Sequence, residues 1–274
     1  MSYATVLVHI DADGELGGRV RLAAGLADSF RSHLIGAAAW MPRPAFAVEG
    51  VIIDPEPTDA DYEEMRATLS KRGDQFRAVA GAGRRQVEWR SSLDFPTEYI
   101  AREARAADLL IIGRDRTSFD PYRSTDAGAL ILRVGRPVLA VPPSINTLAA
   151  KRVVVAWKDV REARRALQDA LPFLHVAQEV IIVEVCEAGD ERKAQSRLKD
   201  VASYLARHRI TTVAERVRTV EGTASTAVLR LVEEASAELI VAGAYGHSRL
   251  GEWVFGGMTQ DLLARSPVCC LFSH

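Results

Sequence analysis

The sequence predicts an α/β fold made of two tandem, doubly wound domains, each with an open parallel sheet. Short apolar runs rich in β-branched residues alternate with patterns of helical period along the chain. A pattern that indicates a helix, a short turn and a buried strand ending in glycine occurs twice, at residues 101–113 and 232–243. This repetition indicates internal duplication. Residues 142–147 contain two prolines and no periodicity, so we predict domains at residues 1–144 and 150–274.

The predicted elements follow in the same order in each half. In the first half a strand and an amphipathic helix are predicted at residues 6–10 and 62–79. In the second half strands and helices are predicted at residues 153–157, 163–174, 180–185 and 198–205. Gly81 is a stop signal for the helix of the first half, and Pro172 should distort the last turns of the helix at 163–174. Parallel strands need helical crossovers, and such sheets bind ligands beyond the carboxyl ends of their strands, where the strand order reverses.

Each half closes on an apolar run, at residues 137–141 and 268–272. An apolar edge strand left open invites aggregation, and a duplicated chain can cover two such edges at once. We therefore predict that these segments are edge strands that pair with each other across a pseudo-twofold axis.

The charge balance argues against two classes of partner. Lys and Arg number 35 against 36 Asp and Glu, which gives a net charge of -1. No global field therefore favours nucleic acid or an anionic membrane. No apolar stretch reaches the roughly 20 residues that span a bilayer, and the first residues lack the pattern of a signal peptide, so we expect a cytoplasmic protein.

The cysteines and histidines do not predict a metal site. Cys186, Cys269 and Cys270 are too few and too poorly spaced for a disulfide framework or a zinc site. Cys269 and Cys270 lie in an apolar run, which favours buried thiols that act as small hydrophobic groups. The six histidines form no metal-ligand pair at a recognised helical spacing, so no metal cofactor is expected.

A glycine-rich loop is the clearest candidate site. Gly243, Gly246 and Gly256 follow a predicted buried strand and precede a helical stretch, with the spacing G-x2-G-x9-G. Glycines let backbone amides approach a phosphate, and a following helix N-terminus adds free N–H groups. The alternative is that these glycines only permit a tight turn and close helix packing.

The motif and its context resemble the universal stress protein family. The phrase Gly-Ala-Tyr-Gly-His-Ser-Arg and the ending Leu-Phe-Ser-His are similar to the second domain of its tandem members. The resemblance implies a Rossmann-like, adenine nucleotide alpha hydrolase-like fold with five strands per domain, joined through the last strand. It also implies ATP or another adenine nucleotide in some members and none in others. It places Gly243, Gly246 and Gly256 around the ribose and phosphates. The full set of residues that we predict at the nucleotide site is Lys158, Asp159, Gly243, Gly246, His247, Arg249, Gly256, Gly257, Met258 and Thr259.

Two departures from the family pattern affect this second-half site. Gly257 stands where the family usually has Ser or Thr, so a hydroxyl donor is lost unless Thr259 replaces it. Lys158 stands where nucleotide-binding members carry Asp, and a lysine cannot accept a hydrogen bond. Either Lys158 contacts a phosphate or Asp159 takes the acceptor role.

Side chains in the loop itself also leave two interpretations open. His247 and Arg249 either point at phosphates or stay solvated.

The first half departs from the family pattern in the opposite way. Asp11 matches the family aspartate, but the glycine loop has become Gly113-Arg-Asp-Arg116, with Ser124 and Thr125 where the third glycine and its neighbour should lie. Arg116 carries a side chain where close backbone approach is required. We therefore predict no nucleotide in the first domain and at most one per chain.

Two classes of function remain. No G-x-S-x-G, H-E-x-x-H or G-x-x-x-x-G-K-[ST] pattern is present, so we expect no enzyme with a side-chain catalytic site. One class is a stress or signalling protein in which an adenine nucleotide biases a surface read by an unidentified protein partner. The other is a nucleotide-free scaffold with two paired domains. The apolar run Trp253, Val254 and Phe255 should be covered by the first domain or by another copy of the chain, and of these we expect a homodimer.

Overall fold

The computed structural model describes residues 2–13, 16–48, 51–54, 56–81, 87–114, 120–219, 222–246 and 257–274. The elements of the first half are β1 (Thr5–His9), α1 (Gly17–Phe30), β2 (His33–Ala39), β3 (Phe46–Val48), β4 (Val51–Asp54), α2 (Asp59–Ala80), β5 (Val87–Ser92), α3 (Pro96–Glu103), a 3-10 turn (Ala104–Ala106), β6 (Leu109–Gly113), α4 (Ala127–Arg133) and β7 (Val138–Val141). Those of the second half are β8 (Arg152–Trp157), α5 (Arg161–Asp169), α6 (Leu171–Val176), β9 (Glu179–Cys186), α7 (Glu191–Arg207), β10 (Val213–Thr219), α8 (Ala224–Glu234), β11 (Leu239–Gly243), α9 (Gly257–Arg265) and β12 (Cys269–Ser273). Strands β3 and β4 form a separate antiparallel pair.

One sheet runs through both halves in the order β10-β9-β8-β11-β12-β7-β6-β1-β2-β5. Within each half the strands are parallel, and the order reverses between β1 and β6 and between β8 and β11. The halves meet where β7 and β12 pair antiparallel, with Leu139 opposite Leu271. The predicted pairing of the two closing apolar segments is therefore confirmed. The predicted α/β fold, with doubly wound parallel strands in each half, is confirmed as well, and the two sets of strands join into one sheet.

The core lies on both faces of this sheet. In β1 the alternation of side chains sends Val6 and Val8 to one face and Leu7 to the other. Helices α1, α2, α5 and α7 pack on the first face, and α3, α4, α8 and α9 pack on the second. The central strands are buried on both faces, which explains their continuous apolar runs.

Two helix boundaries agree with the glycine and proline signals in the sequence. Helix α2 begins with a capping box between Thr58 and Asp61 and ends at Gly81. The helical pattern at 163–174 is broken at Ala170, and Pro172 lies in the first turn of α6. Proline is tolerated there because a first turn lacks an intrahelical partner for its N–H.

The cysteines are free and buried in the described structure. Burial raises the pKa of the Cys269 thiol to about 12 and that of Cys270 to about 11. Both thiols lie in β12, next to the junction of the halves, so they act as small core side chains and not as ligands or nucleophiles. Among the described helices, no segment is both long and apolar enough to cross a membrane.

Candidate functional site

A cavity of about 310 Å³ opens beyond the carboxyl ends of β8 and β11. These strands flank the point where the strand order of the second half reverses, the place where open parallel sheets bind ligands. Apolar side chains of β8, β9 and α8 form much of its lining. Its other lining residues include Trp157, Lys158, Glu162, Gly243, Tyr245, Gly246, Gly257, Met258 and Thr259. The volume suits a small organic ligand.

The glycines at this cavity differ in how much space a side chain would have. A Cβ on Gly243 would lie 2.5 Å from the backbone nitrogen of Ala163 and 2.6 Å from the carbonyl carbon of Glu162. Only glycine therefore lets β11 end against the first turn of α5. Among the described residues, the atoms nearest a Cβ on Gly246 would belong to Glu162 and Val160, at 3.5 Å or more, and a Cβ on Gly257 would have no neighbour within 4 Å. Close packing among the described residues thus accounts for Gly243 and not for Gly246, and Gly256 lies outside those residues.

Thr259 connects the loop after β11 to helix α9. Its buried Oγ1 accepts a hydrogen bond of 3.3 Å from the backbone N–H of Tyr245. Tyr245 has a φ of 53°, in the left-handed region that a tyrosine seldom adopts. Gly257 and Met258 line the cavity from the start of the same helix. The Thr259 hydroxyl accepts this bond and retains its proton for donation to another group.

Lys158 and Asp159 directly follow β8 and are the two residues that the sequence offered for a ligand contact there. Their environments differ. Lys158 lines the cavity. Asp159 is exposed and accepts a hydrogen bond of 2.6 Å from Arg164. The arrangement favours Lys158 as the group that faces a ligand, with Asp159 committed to its neighbour on α5.

Six residues of the second half with predicted roles lie outside the described residues. Three are predicted site residues and three form the predicted dimer surface: His247, Arg249, Gly256, Trp253, Val254 and Phe255.

Glu162 is a polar group of the cavity that the sequence did not predict. It is 2 % exposed, on the first turn of α5, and its Oε1 accepts a hydrogen bond of 2.5 Å from Arg161. Burial acts to raise its pKa, but the bonds from Arg161 and from its own backbone N–H, with the nearby charges of Arg161 and His274, hold the pKa below its usual value. The side chain is therefore a carboxylate at neutral pH. The only sequence signal was an acidic residue on the apolar side of an amphipathic helix, beside Ala163.

Trp157 adds a buried donor to the same cavity. It is 9 % exposed, and its indole N–H has no hydrogen-bond partner in the part of the chain that the structure describes. A buried donor without a partner costs stability, so a ligand acceptor that met it would be favoured. Among the described residues no group of His, Cys, Asp and Glu is arranged to hold a metal ion.

Comparison with known proteins assigns the second half of the chain to a protein family. Residues 149–273 match the model of the universal stress protein family. This half of the chain is a universal stress protein domain. The whole chain has the fold of tandem proteins of that family. A universal stress protein from Archaeoglobus fulgidus DSM 4304 superposes with a TM-score of 0.76 at 18% identity and covers 98% of both chains.

Two further solved structures resemble the chain. A functionally unknown protein from Pseudomonas aeruginosa PAO1 has a TM-score of 0.61 at 15% identity and covers 98% of this chain and 92% of its own. A universal stress protein in complex with cAMP covers 46% of this chain and 98% of its own, at 22% identity and a TM-score of 0.39. No curated protein matches the sequence.

The equivalent cleft of the first domain contains an arginine. The Arg19 guanidinium donates to the backbone oxygen of His9 at 2.9 Å and to the Asp11 carboxylate at 3.1 Å. A Cβ on Gly113 would lie 2.0 Å from this guanidinium, so Arg19 covers the glycine that ends β6. Asp11, the residue that matches the family aspartate, is thus engaged by Arg19. Arg116, the residue expected to block this cleft, lies outside the described residues.

Ser124 and Thr125 stand where the family pattern would place the third glycine of the first-half loop and its neighbour. Both contact nearby residues of the first half. The buried Ser124 hydroxyl donates to the backbone oxygen of Asp120 at 2.6 Å and accepts from its backbone N–H at 3.0 Å. The Thr125 hydroxyl lies 3.3 Å from Nδ1 of His9. Both hydroxyls therefore stabilise the chain around the first cleft.

The loops after β6 and β11 also connect the two halves of the chain to each other. Arg114, directly after Gly113, donates to the carbonyl oxygens of Leu262 at 2.8 Å and Leu263 at 2.5 Å, and also to that of Ser266. These carbonyls belong to the C-terminal end of α9, where a cation is favoured by the helix dipole. The loop after β6 thus holds a contact between the two halves of the chain.

Tyr245 makes the reciprocal contact from the second domain. Its hydroxyl would lie 2.6 Å from a Cβ on Gly128, in the first turn of α4. Burial raises the pKa of Tyr245, and the charge of Asp126 raises it further, so the phenol stays protonated near neutral pH. Because Tyr245 also lines the cavity, the second cleft borders directly on the first domain.

Proposed function

We propose that the chain is a stress-response or signalling protein that binds one adenine nucleotide, such as ATP or a related compound, in its second domain and none in its first. The observation that carries the proposal is the contrast between the clefts. An open cavity of about 310 Å³ lies beyond β8 and β11, whereas Arg19 covers the equivalent glycine of the first domain. Gly246, Gly257 and Lys158 at the open cavity supply backbone N–H groups and a cation, the groups that phosphates prefer.

We propose a binding role for this site and no catalytic one. Among the described lining residues there is no histidine or cysteine, and the Thr259 hydroxyl is bonded to the loop backbone. A nucleophile needs an adjacent base in order to be activated. Among the described residues the Thr259 hydroxyl has no hydrogen bond to a basic side chain that could activate it.

Calorimetric titration with ATP, AMP and adenosine tests the proposal together with the variant Gly246→Val. We expect a stoichiometry near one per chain and a loss of ATP affinity of at least about tenfold in the variant, because the valine methyl groups would project toward the Glu162 side of the cavity. Gly25→Ala is the matched control, since a Cβ on Gly25 in helix α1 meets nothing within 4 Å and the site is remote. Two nucleotides per chain, or unchanged binding in Gly246→Val, would contradict the proposed site.

The alternative function is a nucleotide-free scaffold of two paired domains. Gly243 favours the scaffold, because close packing against α5 is sufficient to explain why a glycine is required there. The absorbance and the mass spectrum of the small molecules released when the purified protein is denatured distinguish the two functions. Release of an adenine compound supports the binding function. An empty protein that binds no adenine compound at millimolar concentration supports the scaffold.

Cellular location and assembly belong to the same proposal. We propose a cytoplasmic protein that acts through a protein partner and forms a homodimer. Strands β7 and β12 are already paired within the chain, so a second copy must bind elsewhere, for example at the outer strands β5 and β10. Light scattering at micromolar concentration should give twice the monomer mass of 29.9 kDa. A monomeric mass would contradict the dimer.

A further inference from the structure

Helix α9 joins the second cleft to the first half of the chain. Its first residues, 257–259, line the cavity. Near its other end, the carbonyl oxygens of Leu262 and Leu263 accept hydrogen bonds of 2.8 Å and 2.5 Å from Arg114 of the first half. A helix of nine residues is only about 13 Å long, so one short element connects the two places.

The helix is too short to hold its position by itself. Isolated helices below about 12–15 residues are marginal in water, and most helical stability in proteins comes from a packed face. Of the nine residues of α9, only Thr259 and Leu262 are buried. Its position therefore depends on contacts with its neighbours, such as the hydrogen bond of 2.5 Å that the Ser225 hydroxyl of α8 donates to Asp261, and on the contact with Arg114.

Arg114 is anchored where the two halves meet. Its backbone N–H donates to the carbonyl oxygen of Val141, the last residue of β7, at 3.2 Å. Strand β7 pairs with β12, the element that follows α9 in the chain. The guanidinium is thus held beside the end of α9 from within the first half, and its charge suits the negative end of the helix dipole.

We infer that Arg114 is a positioning residue for the second cleft, through which the first half of the chain raises the affinity of the cavity for its ligand. A ligand that contacts the first turn of α9 needs the helix in its docked position, and the Arg114 contacts favour that same position. Two contacts that favour one state strengthen each other, and the effect is reciprocal. The inference rests on the proposed nucleotide-binding function and concerns the regulation of that site. It gives the first half, in which Arg19 covers Gly113, a part in binding.

Calorimetric titration of ATP and AMP against the wild type and Arg114→Ala tests the coupling, at a temperature at which circular dichroism shows both proteins to be folded. We expect about tenfold weaker binding in the variant, because the apparent affinity falls with the fraction of molecules whose helix is docked. Leu69→Ala is the matched control. It removes a buried side chain of α2, across the sheet from α9, and so lowers global stability, but it should leave both affinities unchanged.

Hydrogen exchange of the backbone amides of α9 measures docking without a ligand. These amides should exchange at least about tenfold faster in ligand-free Arg114→Ala than in Leu69→Ala, because only the first change releases the helix locally. Saturating ATP should slow the same amides in the wild type, since the coupling is reciprocal. Equal exchange of α9 in the two variants would overturn the positioning role.

The binding data separate this inference from the proposed function. Measurable binding with equal affinity in the wild type and in Arg114→Ala would overturn the inference and leave the proposed function standing. An equal loss in Leu69→Ala would also overturn it, because affinity would then follow global stability. Arg114→Gln holds the test open if Arg114→Ala does not fold: it lacks the charge and should bind ATP about threefold more weakly, and unchanged binding would again overturn the inference. No binding of ATP or AMP to the wild type would overturn the proposed function and the inference with it.

Discussion

Replacement of Arg114 by alanine is expected to lower the free energy of unfolding by about 3 kcal/mol, because the guanidinium donates to three carbonyl oxygens at the end of α9. Leu262 is fully buried and Ser266 is 1 % exposed, so water reaches these carbonyls poorly after the truncation. The variant also loses a cation at the negative end of the helix dipole. Burial lowers the pKa of Arg114 below its ordinary value, but that value is so high that the side chain stays charged at neutral pH.

Urea unfolding followed by circular dichroism measures this effect. Arg66→Ala is the matched control: its guanidinium is 58 % exposed and pairs only with Glu63 on the same helix, so its loss should cost less than about 0.5 kcal/mol. Arg114→Lys should fall between the two, because an ammonium keeps the charge but lacks the planar fork that reaches several carbonyls. An Arg114→Ala variant as stable as Arg66→Ala would show that the contact does not stabilise the pair of domains.

The fold could be predicted from the sequence because its signals are local. Continuous apolar runs such as residues 153–157 and 239–242 indicate strands covered on both faces, and each is followed by a pattern of helical period. The pattern that occurs at both residues 101–113 and 232–243 predicted two domains. The pairing of β7 with β12 followed from a physical rule about open edges and not from any direct signal for a contact.

The candidate site was predicted less completely, because it depends on where long side chains point. Arg19 and Glu162 both lie in the first turn of the helix after an inner strand, beside the glycine that ends the adjacent strand. One covers its cleft and the other lines an open one. No pattern of residue types predicts that difference, since each rotamer is selected by partners elsewhere in the fold. Asp159 was an open candidate for the acceptor for the same reason, and the structure pairs it with Arg164.

Arg114 illustrates a related limit of the sequence. It follows Gly113 in the loop of the first half that corresponds to the glycine-rich loop of the second half. The sequence pattern relates this loop to a nucleotide and gives no indication of a contact between the two halves. Its partners are 148 to 152 residues away in the chain. A contact at that separation follows from the junction of the two domains, which becomes known only once the sheet is assembled.

Replacement of Gly243 by alanine is expected to be far more damaging than the same change at Gly113, the glycine at the equivalent strand end of the first domain. At Gly243 the new methyl group would lie 2.5 Å and 2.6 Å from backbone atoms of α5, so the strand and the helix must separate. Overpacking against backbone costs about 3 kcal/mol, and the displaced helix carries Glu162 out of the cavity, so ligand affinity should fall as well.

At Gly113 the three atoms nearest to the methyl group would belong to the guanidinium end of Arg19, which can swing away at a cost of about 1 kcal/mol for its hydrogen bonds to His9 and Asp11. Gly257→Ala is the control, since a Cβ there meets no described residue within 4 Å and alanine favours the first turn of α9. Thermal melts of the three variants should therefore rank Gly257→Ala, Gly113→Ala and Gly243→Ala in order of falling Tm. Equal losses for Gly113→Ala and Gly243→Ala would show that Arg19 is held as rigidly in the first cleft as the backbone of α5 is in the second, and that the first cleft cannot be opened by a single change.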